Sequence, residues 1–335
     1  MKLDRASVAM TLALVLSLSA ALVARAATPQ RSSHASALKV AMLFSEPING
    51  SSWDTAAYNG LQAVKTRFHV QTAYTESVKL GDIAQVLRSY ASHGYNLVFG
   101  NGFEYGQPMA QVAPQFPNVK FVAMTGITSG PNLESPQLAE NQGGFLSGAL
   151  AGLMTKSNKV GCVASQQLPF IVSQMEAYKL GAKYVNTKVK ARVTYTGSFS
   201  DVAKAKQAAE ALADTGVDVL CQDADNGGPA IISVARARHI WSIGMSEDQN
   251  SLAPRTVLSS VVVDSSAVIQ LITRQVLDGK FTGGKPYFGV KEHAIYLAPF
   301  HGLVPARIAQ RLNQIARGIA AGTIKVPLIT KPTTP

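Results

Sequence analysis

The sequence predicts an α/β protein in which two similar lobes, each built on a doubly wound parallel sheet, are joined in one chain. The first observation is an internal repeat, because short segments of the first half recur in order about 120 residues later, a period the size of a domain. The second is that short apolar runs alternate with helical patterns, as in βαβ units. The third is length, since 335 residues can bury two separate cores.

The repeat consists of strand and helix segments, whereas the loops between them differ. It pairs 39–43 with 159–163, 58–61 with 177–181, 72–75 with 193–196, 81–84 with 200–203, and 95–99 with 217–221. Two similar lobes place a cleft between them. We therefore expect the common segments to build the lobes and the loops to determine what the cleft holds.

In the first lobe, continuous apolar runs predict strands, because parallel sheets are covered on both faces. Helices are predicted from apolar residues at helical spacing, such as Ile83, Val86 and Leu87 at i, i+3 and i+4. The predicted strands are 39–44, 70–75, 96–100 and 120–125, and the predicted helices are 55–67 and 82–93.

The second lobe follows the same alternation. Ser200 and Asp201 precede an Ala-rich amphipathic run, and such residues are preferred helix N-caps. The predicted strands are 160–164, 191–196, 217–221 and 240–244, and the predicted helices are 171–184, 201–213 and 229–238.

Three further helices should connect the lobes. The helix at 141–156 carries several glycines that would let a partner approach closely, and we assign it to the end of the first lobe. Helices at 267–277 and 305–319 have no counterpart in the repeat and should cross back between the lobes. Lobe one is then 38–157 plus about 261–295, and lobe two is 158–260 plus about 296–330.

The N-terminus has the order of a secretory signal peptide. Lys2 and Arg5 precede an apolar run at 6–23, and small residues flank Arg25, which predicts cleavage after Ala26. Residues 27–37 are then a flexible leader. A retained membrane anchor is the alternative. Because no cysteine lies near the cleavage site, a lipid anchor is not expected, and we predict a soluble periplasmic protein.

The net charge of +11 raises the possibility of nucleic-acid binding. However, Lys and Arg are scattered and form no basic helix or aromatic–basic stripe, so we interpret them as a solvated surface and expect no nucleic-acid partner. Cys162 and Cys221 both lie in strand-like runs. Export permits a disulfide, but neighbouring parallel strands suit its geometry poorly, so two buried thiols are predicted.

No catalytic or metal-binding pattern stands out. The six histidines are dispersed, so no metal site is expected. A glycine-rich loop at 100–106 follows a strand, but its third glycine is one residue late for dinucleotide binding. No cofactor and no enzymatic activity are predicted.

Candidate ligand-binding residues follow the predicted strands, where open α/β sheets bind ligands. They are aromatic residues beside hydrogen-bonding groups, a combination that suits a flat molecule with polar edges. In lobe one they are Trp53, Asp54, Asn101 and Phe103; in lobe two they are Phe170, Tyr178, Asp223, Asp225, Asn226, Ser246, Glu247 and Asp248.

Several of these segments resemble the basic membrane protein (BMP) family of periplasmic substrate-binding proteins. The similar segments are 48–60, 116–121, 144–159, 176–181 and 215–219, which are spread over nearly the whole chain after the signal peptide. The resemblance implies a type I periplasmic binding protein fold, with lobes joined by a multi-strand hinge. It also implies a purine nucleoside or purine base as ligand and an ABC transporter permease as partner.

Departures from the family pattern bear on the ligand. The resemblance suggests that Trp53 and Tyr178 stack on the ring. Gly50 and Asp54 replace a family Asp and Asn, and the segment 244–248 keeps only Asp248 of two acids that contact ribose. A family lysine corresponds to Val263. These differences favour a nucleobase such as adenine over a nucleoside.

The predicted function is therefore capture of a flat purine-type ligand between the lobes of a monomeric protein. We expect Trp53 and Tyr178 to stack and Asp54, Asn101 and Asp225 to read the ring edge, with Asp248 making a weaker polar contact. The alternatives are binding of another flat heterocycle and a sensory module that reports to a membrane receptor.

Overall fold

The computed structural model describes residues 38–48 and 52–333, so the predicted signal peptide and leader lie outside the described residues. The chain passes through strands and helices in alternation. In order these are β1 (Lys39–Leu43), α1 (Ser52–Phe68), β2 (Gln71–Thr75), α2 (Ile83–Ser92), β3 (Leu97–Gly100), α3 (Gly106–Val112), β4 (Lys120–Ala123), β5 (Leu133–Glu134), β6 (Gln137–Leu138), α4 (Glu140–Met154), β7 (Lys159–Ala164), α5 (Pro169–Val185), β8 (Lys190–Tyr195), α6 (Val202–Asp214), β9 (Val219–Asp223), α7 (Gly228–Ala237), β10 (Trp241–Ser246), β11 (Val257–Val263), α8 (Ser265–Leu277), β12 (Tyr287–Phe288), β13 (Ile295–Leu297) and α9 (Ala306–Ala320).

The first lobe is built on a parallel sheet with strand order β2-β1-β3-β4-β5. Its central strands are buried on both faces, which explains their continuous apolar sequences. Met42 and Phe99 pack on one face with α1 and α8, and Leu43 and Phe121 pack on the other with α2 and α3. The predicted doubly wound α/β lobe is confirmed.

The second lobe repeats this plan with strand order β13-β11-β10-β9-β7-β8. All neighbouring strands are parallel except β13, which pairs antiparallel with β11. Helices α4, α5 and α9 cover one face, and α6 and α7 cover the other. The chain thus has the two parallel-sheet lobes of a type I periplasmic binding protein fold.

Helix α4 packs in the second lobe, so its predicted place at the end of the first lobe is wrong. A Cβ added to Gly148 would lie 2.0 Å from the carbonyl oxygen of Tyr178, and one added to Gly181 would lie 2.0 Å from that of Phe145. The glycines therefore let the backbones of α4 and α5 touch. The pattern correctly indicated a close partner, but it carries no information about which lobe supplies that partner.

Three crossings join the lobes within the described residues. The first lies between β6 and α4, the second between β11 and α8, and the third between β12 and β13. Helix α8 returns to the first lobe, where Gly60 of α1 lets it approach so closely that an added Cβ would lie 2.8 Å from Ser266 Cα. Strand β12 then pairs with β6, and β13 joins the second sheet. The crossings give the hinge its several strands.

Cys162 and Cys221 form a disulfide, so the prediction of two thiols is wrong. The two residues are register partners on the adjacent strands β7 and β9, and their Cα atoms are 4.4 Å apart. That separation lies at the short end of the range that disulfides span. In-register parallel neighbours can therefore be bridged here.

Candidate ligand-binding cleft

Apart from Tyr178, the candidate residues lie at the carboxyl edge of a sheet, by which we mean the ends of the parallel strands with the loops and helix starts that follow them. In open α/β sheets this edge is where ligands bind. The loops are 44–48, 76–82, 101–105 and 124–132 in lobe one, and 165–168, 196–201, 224–227 and 247–249 in lobe two. Among the described residues, no helix is long and apolar enough to cross a membrane.

Trp53, Asp54 and Asn101 come together at the carboxyl edge of lobe one. The side-chain amide of Asn101 donates from Nδ2 to Asp54 Oδ1 at 2.7 Å, and both side chains are buried. The indole Nε1 of Trp53 donates to the backbone oxygen of Asn101 at 3.3 Å. Three predicted site residues, two from the start of α1 and one from the loop after β3, therefore form one hydrogen-bonded group.

Local structure explains this convergence. Trp53 and Asp54 lie in the first turn of α1, where a carboxylate is favoured by the helix dipole. Asn101 follows β3 directly, and its backbone N–H donates to Leu43 O at 3.0 Å, which holds it beside the end of β1. A Cβ on Gly100 would lie 2.3 Å from the ring of Tyr105, so this tight turn requires glycine.

The Asn101 side chain keeps one unused acceptor. The residue is only 2% exposed, and its buried Oδ1 has no hydrogen-bond partner. A buried acceptor without a donor is costly. A ligand that brings an N–H group to this position would remove that cost.

Phe103 lies in the same loop and is 65% exposed. The neighbouring Glu104 accepts a hydrogen bond from Ser45 Oγ at 2.7 Å, which ties the loop after β3 to the loop after β1. An exposed aromatic side chain at the carboxyl edge is available to a ligand.

Tyr178 is not brought to the edge. It is 0% exposed in the second core, and its hydroxyl donates to Gly161 O at 3.3 Å, near the amino end of β7. A ring buried among α4, α5 and β7 cannot stack on a ligand without repacking the lobe. Phe170, at the start of α5, is 48% exposed and is the aromatic residue of this helix nearest the carboxyl edge.

Asp225 lies in an exposed turn directly after β9, two residues from the buried carboxylate of Asp223. The last residue of β9 is Asp223, whose Oδ2 is buried without a hydrogen-bond partner. Burial, reinforced by the charge of Asp225, raises the pKa of Asp223 to about 7. Burial also raises the pKa of Asp225.

Glu140 was not among the predicted site residues. It begins α4 directly after the first crossing, and burial together with the charge of Asp223 raises its pKa to about 8. Sequence reasoning missed it because α4 was assigned to the other lobe. Burial, with contributions from the charges of Glu176 and Asp223, also raises the pKa of Tyr195. Burial together with the charge of Glu140 raises the pKa of Tyr287.

Asp248 is held by His301. Its Oδ2 lies 2.8 Å from His301 Nε2, which ties the loop after β10 to the segment that follows β13. This contact gives Asp248 a role in holding two loops together.

Two cavities lie away from these residues. One, of about 290 Å³, lies between α5 and the C-terminal segment and is lined by Glu176, Lys179 and Thr333 among others. The other, of about 460 Å³, lies beside the third crossing and α9. Neither is lined by a predicted site residue. Among the described residues, no group of three or more His, Cys, Asp or Glu is placed to hold a metal ion.

Residues 37–329 match the model of the Bmp family, described as ABC transporter substrate-binding protein PnrA-like. This match covers most of the chain and both lobes.

Three curated relatives align with most of the chain. The transcriptional activator protein med of Bacillus subtilis is 28% identical over 83% of this chain and 87% of its own length. The purine-binding protein BAB2_0673 of Brucella abortus is 31% identical over 78% of this chain and 75% of its own length. The nucleoside-binding protein BmpA of an ABC transporter in Lactococcus lactis is 31% identical over 71% of this chain and 74% of its own length.

Two solved structures have a similar fold. A transcriptional activator of the comK gene from Bacillus halodurans superimposes with a TM-score of 0.79 at 26% identity, over 86% of this chain and 99% of the other. A solute-binding protein of an ABC transporter system from Conexibacter woesei superimposes with a TM-score of 0.76 at 26% identity, over 88% of this chain and 100% of the other.

Proposed function

Because this chain belongs to the Bmp family of PnrA-like ABC transporter substrate-binding proteins, we propose that it captures a flat purine-type ligand between its lobes. Substrate-binding proteins of this kind bind a solute and deliver it to a permease; they are not enzymes. The relatives named for purine and nucleoside binding support this ligand class.

The observation that carries the proposal is the group formed by Trp53, Asp54 and Asn101. An aromatic ring next to a carboxylate and an unused amide acceptor can stack on a base and accept hydrogen bonds from its N–H edge. Phe103 and Phe170 add exposed aromatic surface at the carboxyl edges of the two lobes.

A nucleobase such as adenine fits this group better than a nucleoside. Asp248, the one acid retained from the sugar-contacting segment, is held by His301. Val263, at the position of a family lysine, is buried in an apolar cluster and offers no hydrogen bond from its side chain. Both features weaken recognition of ribose hydroxyls.

We place the protein in the periplasm, exported by the signal peptide at 1–26 and acting as a monomer that presents its ligand to an ABC permease. The family as a whole is extracellular or periplasmic. A sensory module is the second candidate, because one relative and one solved structure are named as transcriptional activators. Deleting the gene for this protein should abolish purine uptake in the first case and leave it intact in the second.

Native mass spectrometry of protein purified from cells tests the ligand directly. The proposal predicts a bound species that is released on unfolding and has the mass of a purine base. A released compound of another class would contradict the proposal. If the protein is purified without a ligand, soaking it with a purine panel before the measurement provides the same test.

A further inference from the structure

We propose that one outer surface of lobe two binds to an anionic lipid surface. The surface belongs to the layer of helices α4, α5 and α9, and we call it the basic face. Its charged residues are Lys179, Lys183, Arg307, Arg311, Arg317, Lys325 and Lys331. None of them belongs to the carboxyl edge, so this surface has a role separate from ligand capture.

Helix α9 supplies the three arginines and is strongly amphipathic. Its apolar side packs in the second core through Leu312, Ile315 and Ile319, which are buried. Its other side carries the exposed residues Arg307, Arg311 and Arg317. A helix whose apolar side is held in the core directs its polar side away from the lobe. The arginines therefore project from the outer surface of the layer.

The segment 321–333 connects α9 to α5 and makes the basic face continuous. Within it, the backbone oxygen of Val326 accepts from Asn141 Nδ2 of α4 at 3.1 Å. Further along, the backbone N–H of Thr333 donates to Glu176 Oε1 of α5 at 3.1 Å. The segment thus passes over α4 to reach α5, and it carries two exposed lysines, Lys325 and Lys331.

Acidic residues are scarce in this layer. Helices α4, α5 and α9 together with residues 321–333 contain two, Glu140 and Glu176. Glu140 begins α4 at the first crossing, and Glu176 is buried and pairs with Lys179 at 2.7 Å. The other six charged residues of the basic face form no ion pair among the described residues. Most of its positive charge is therefore not neutralised by the protein.

The opposite side of lobe two, formed by α6 and α7, differs in this respect. Three ion pairs lie there: Lys204 with Asp201 at 3.6 Å, Lys206 with Glu210 at 3.8 Å, and Arg238 with Asp214 at 2.8 Å. Basic residues on that side have acidic neighbours, whereas those on the basic face do not. A surface of one sign attracts a surface of the opposite sign, most strongly at low ionic strength.

The cavity of about 290 Å³ between α5 and the C-terminal segment favours a lipid over other anionic partners. Its lining includes two lysines and four apolar residues, which are Lys179, Lys183, Leu180, Val189, Ala191 and Ile329. A lipid brings an anionic headgroup together with apolar chains, whereas nucleic acid or an acidic protein segment brings charge without chains. The exposed side chains of Leu180, Tyr184 and Leu328 add apolar surface in the same layer.

Sedimentation with phosphatidylcholine vesicles, prepared with and without phosphatidylglycerol, tests the proposal. The exported protein should sediment only with the anionic vesicles and should be released in about 1 M NaCl, where the Debye length is about 3 Å. An uncleaved apolar leader would bind both kinds of vesicle and resist salt. The difference between the vesicles therefore isolates the basic face.

Two triple variants locate the interaction, because they remove the same charge from opposite sides of lobe two. Arg307→Gln/Arg311→Gln/Arg317→Gln should weaken binding to the anionic vesicles at least about tenfold, since each basic residue near an anionic surface contributes. Lys204→Gln/Lys206→Gln/Arg238→Gln is the matched control and should bind like the wild type. All six side chains are exposed, so both variants should fold, which thermal melting checks. Lys325→Gln/Lys331→Gln should give a smaller loss of binding.

Three results would overturn the proposal. The first is equal binding to neutral and anionic vesicles, or binding to neither. The second is an equal loss in the two triple variants, which would show that net charge acts without the basic face. The third is tighter binding to polyglutamate or duplex DNA than to the anionic vesicles, which would assign the face to an acidic protein or to nucleic acid. Adenine affinity should be unchanged in every variant, so the lipid and purine proposals can fail independently.

Discussion

Asn101 and Asp54 are joined by a buried hydrogen bond of 2.7 Å, from Asn101 Nδ2 to Asp54 Oδ1, between the end of β3 and the start of α1. The bond fixes the orientation of the amide: Nδ2 donates within the protein, and the buried acceptor Oδ1 is left without a partner. The lobe-one wall is thereby set to read an N–H edge.

Asn101→Ala should weaken adenine binding and also destabilise the fold, because it removes both the acceptor and the partner of a buried carboxylate. Loss of such a partner costs about 1–3 kcal/mol. Asn132→Ala is the control, since Asn132 is also buried in the same lobe and donates to the carbonyls of Ala113, Phe116 and Val119. It should lower stability without changing affinity. Calorimetric titration and thermal melting measure the two effects, and equal affinities in the two variants would refute the role of Asn101.

The Cys162–Cys221 disulfide should contribute to the stability of lobe two. It closes a loop with a sequence separation of 59 residues, for which chain entropy predicts roughly 4 kcal/mol. Treatment with a reductant, or the double substitution Cys162→Ala/Cys221→Ala, should therefore lower the melting temperature. Thiol titration of the unfolded, unreduced protein should detect no free cysteine. Two reactive thiols and a melting temperature insensitive to reductant would contradict the disulfide.

Glu134 should make the stability of lobe one depend on pH. It is only 2% exposed, its Oε1 has no partner, and burial raises its pKa from 4.5 to about 7. The folded state thus favours the protonated carboxyl. Stability should fall as pH rises from about 4.5 through 7, because the unfolded chain releases the proton more readily.

Glu134→Gln should accordingly raise the melting temperature above pH 7 and reduce the loss of stability across that range. Glu176→Gln is a control of opposite sign, since Glu176 is also buried but pairs with Lys179 at 2.7 Å, and its loss should destabilise. Melting curves of both variants against pH provide the comparison. A wild-type protein that becomes more stable between pH 5 and 8, with Glu134→Gln showing the same rise, would refute the assignment.

Much of the fold could be predicted from the sequence, because parallel strands buried on both faces have an unmistakable apolar pattern. The convergence of Trp53, Asp54 and Asn101 was predictable for a related reason. Once β1 and β3 are parallel neighbours, the loops after them must meet at the same edge. No knowledge of side-chain packing is needed for that step.

The errors concern features that depend on which elements pack together. Helical periodicity assigns Tyr178 to α5 but does not show that its ring faces the core, while Phe170 lies at the exposed start of the helix. The glycines of α4 indicate a close neighbour without naming α5. Glu140 was missed for that reason, and the disulfide was missed because neighbouring parallel strands were expected to suit its geometry poorly, whereas the Cα atoms of these register partners are 4.4 Å apart.

Titration of adenine into the protein tests the central claim most directly. Trp241→Phe leaves Trp53 as the sole tryptophan of the chain, so its fluorescence should be quenched by adenine with an affinity equal to that of the wild-type protein measured by calorimetry. Trp53→Ala should bind roughly tenfold to a hundredfold more weakly, because stacking of a base on an aromatic ring contributes about 1–3 kcal/mol. Unchanged adenine affinity in Trp53→Ala, or no binding of any purine base to the wild-type protein, would contradict the account.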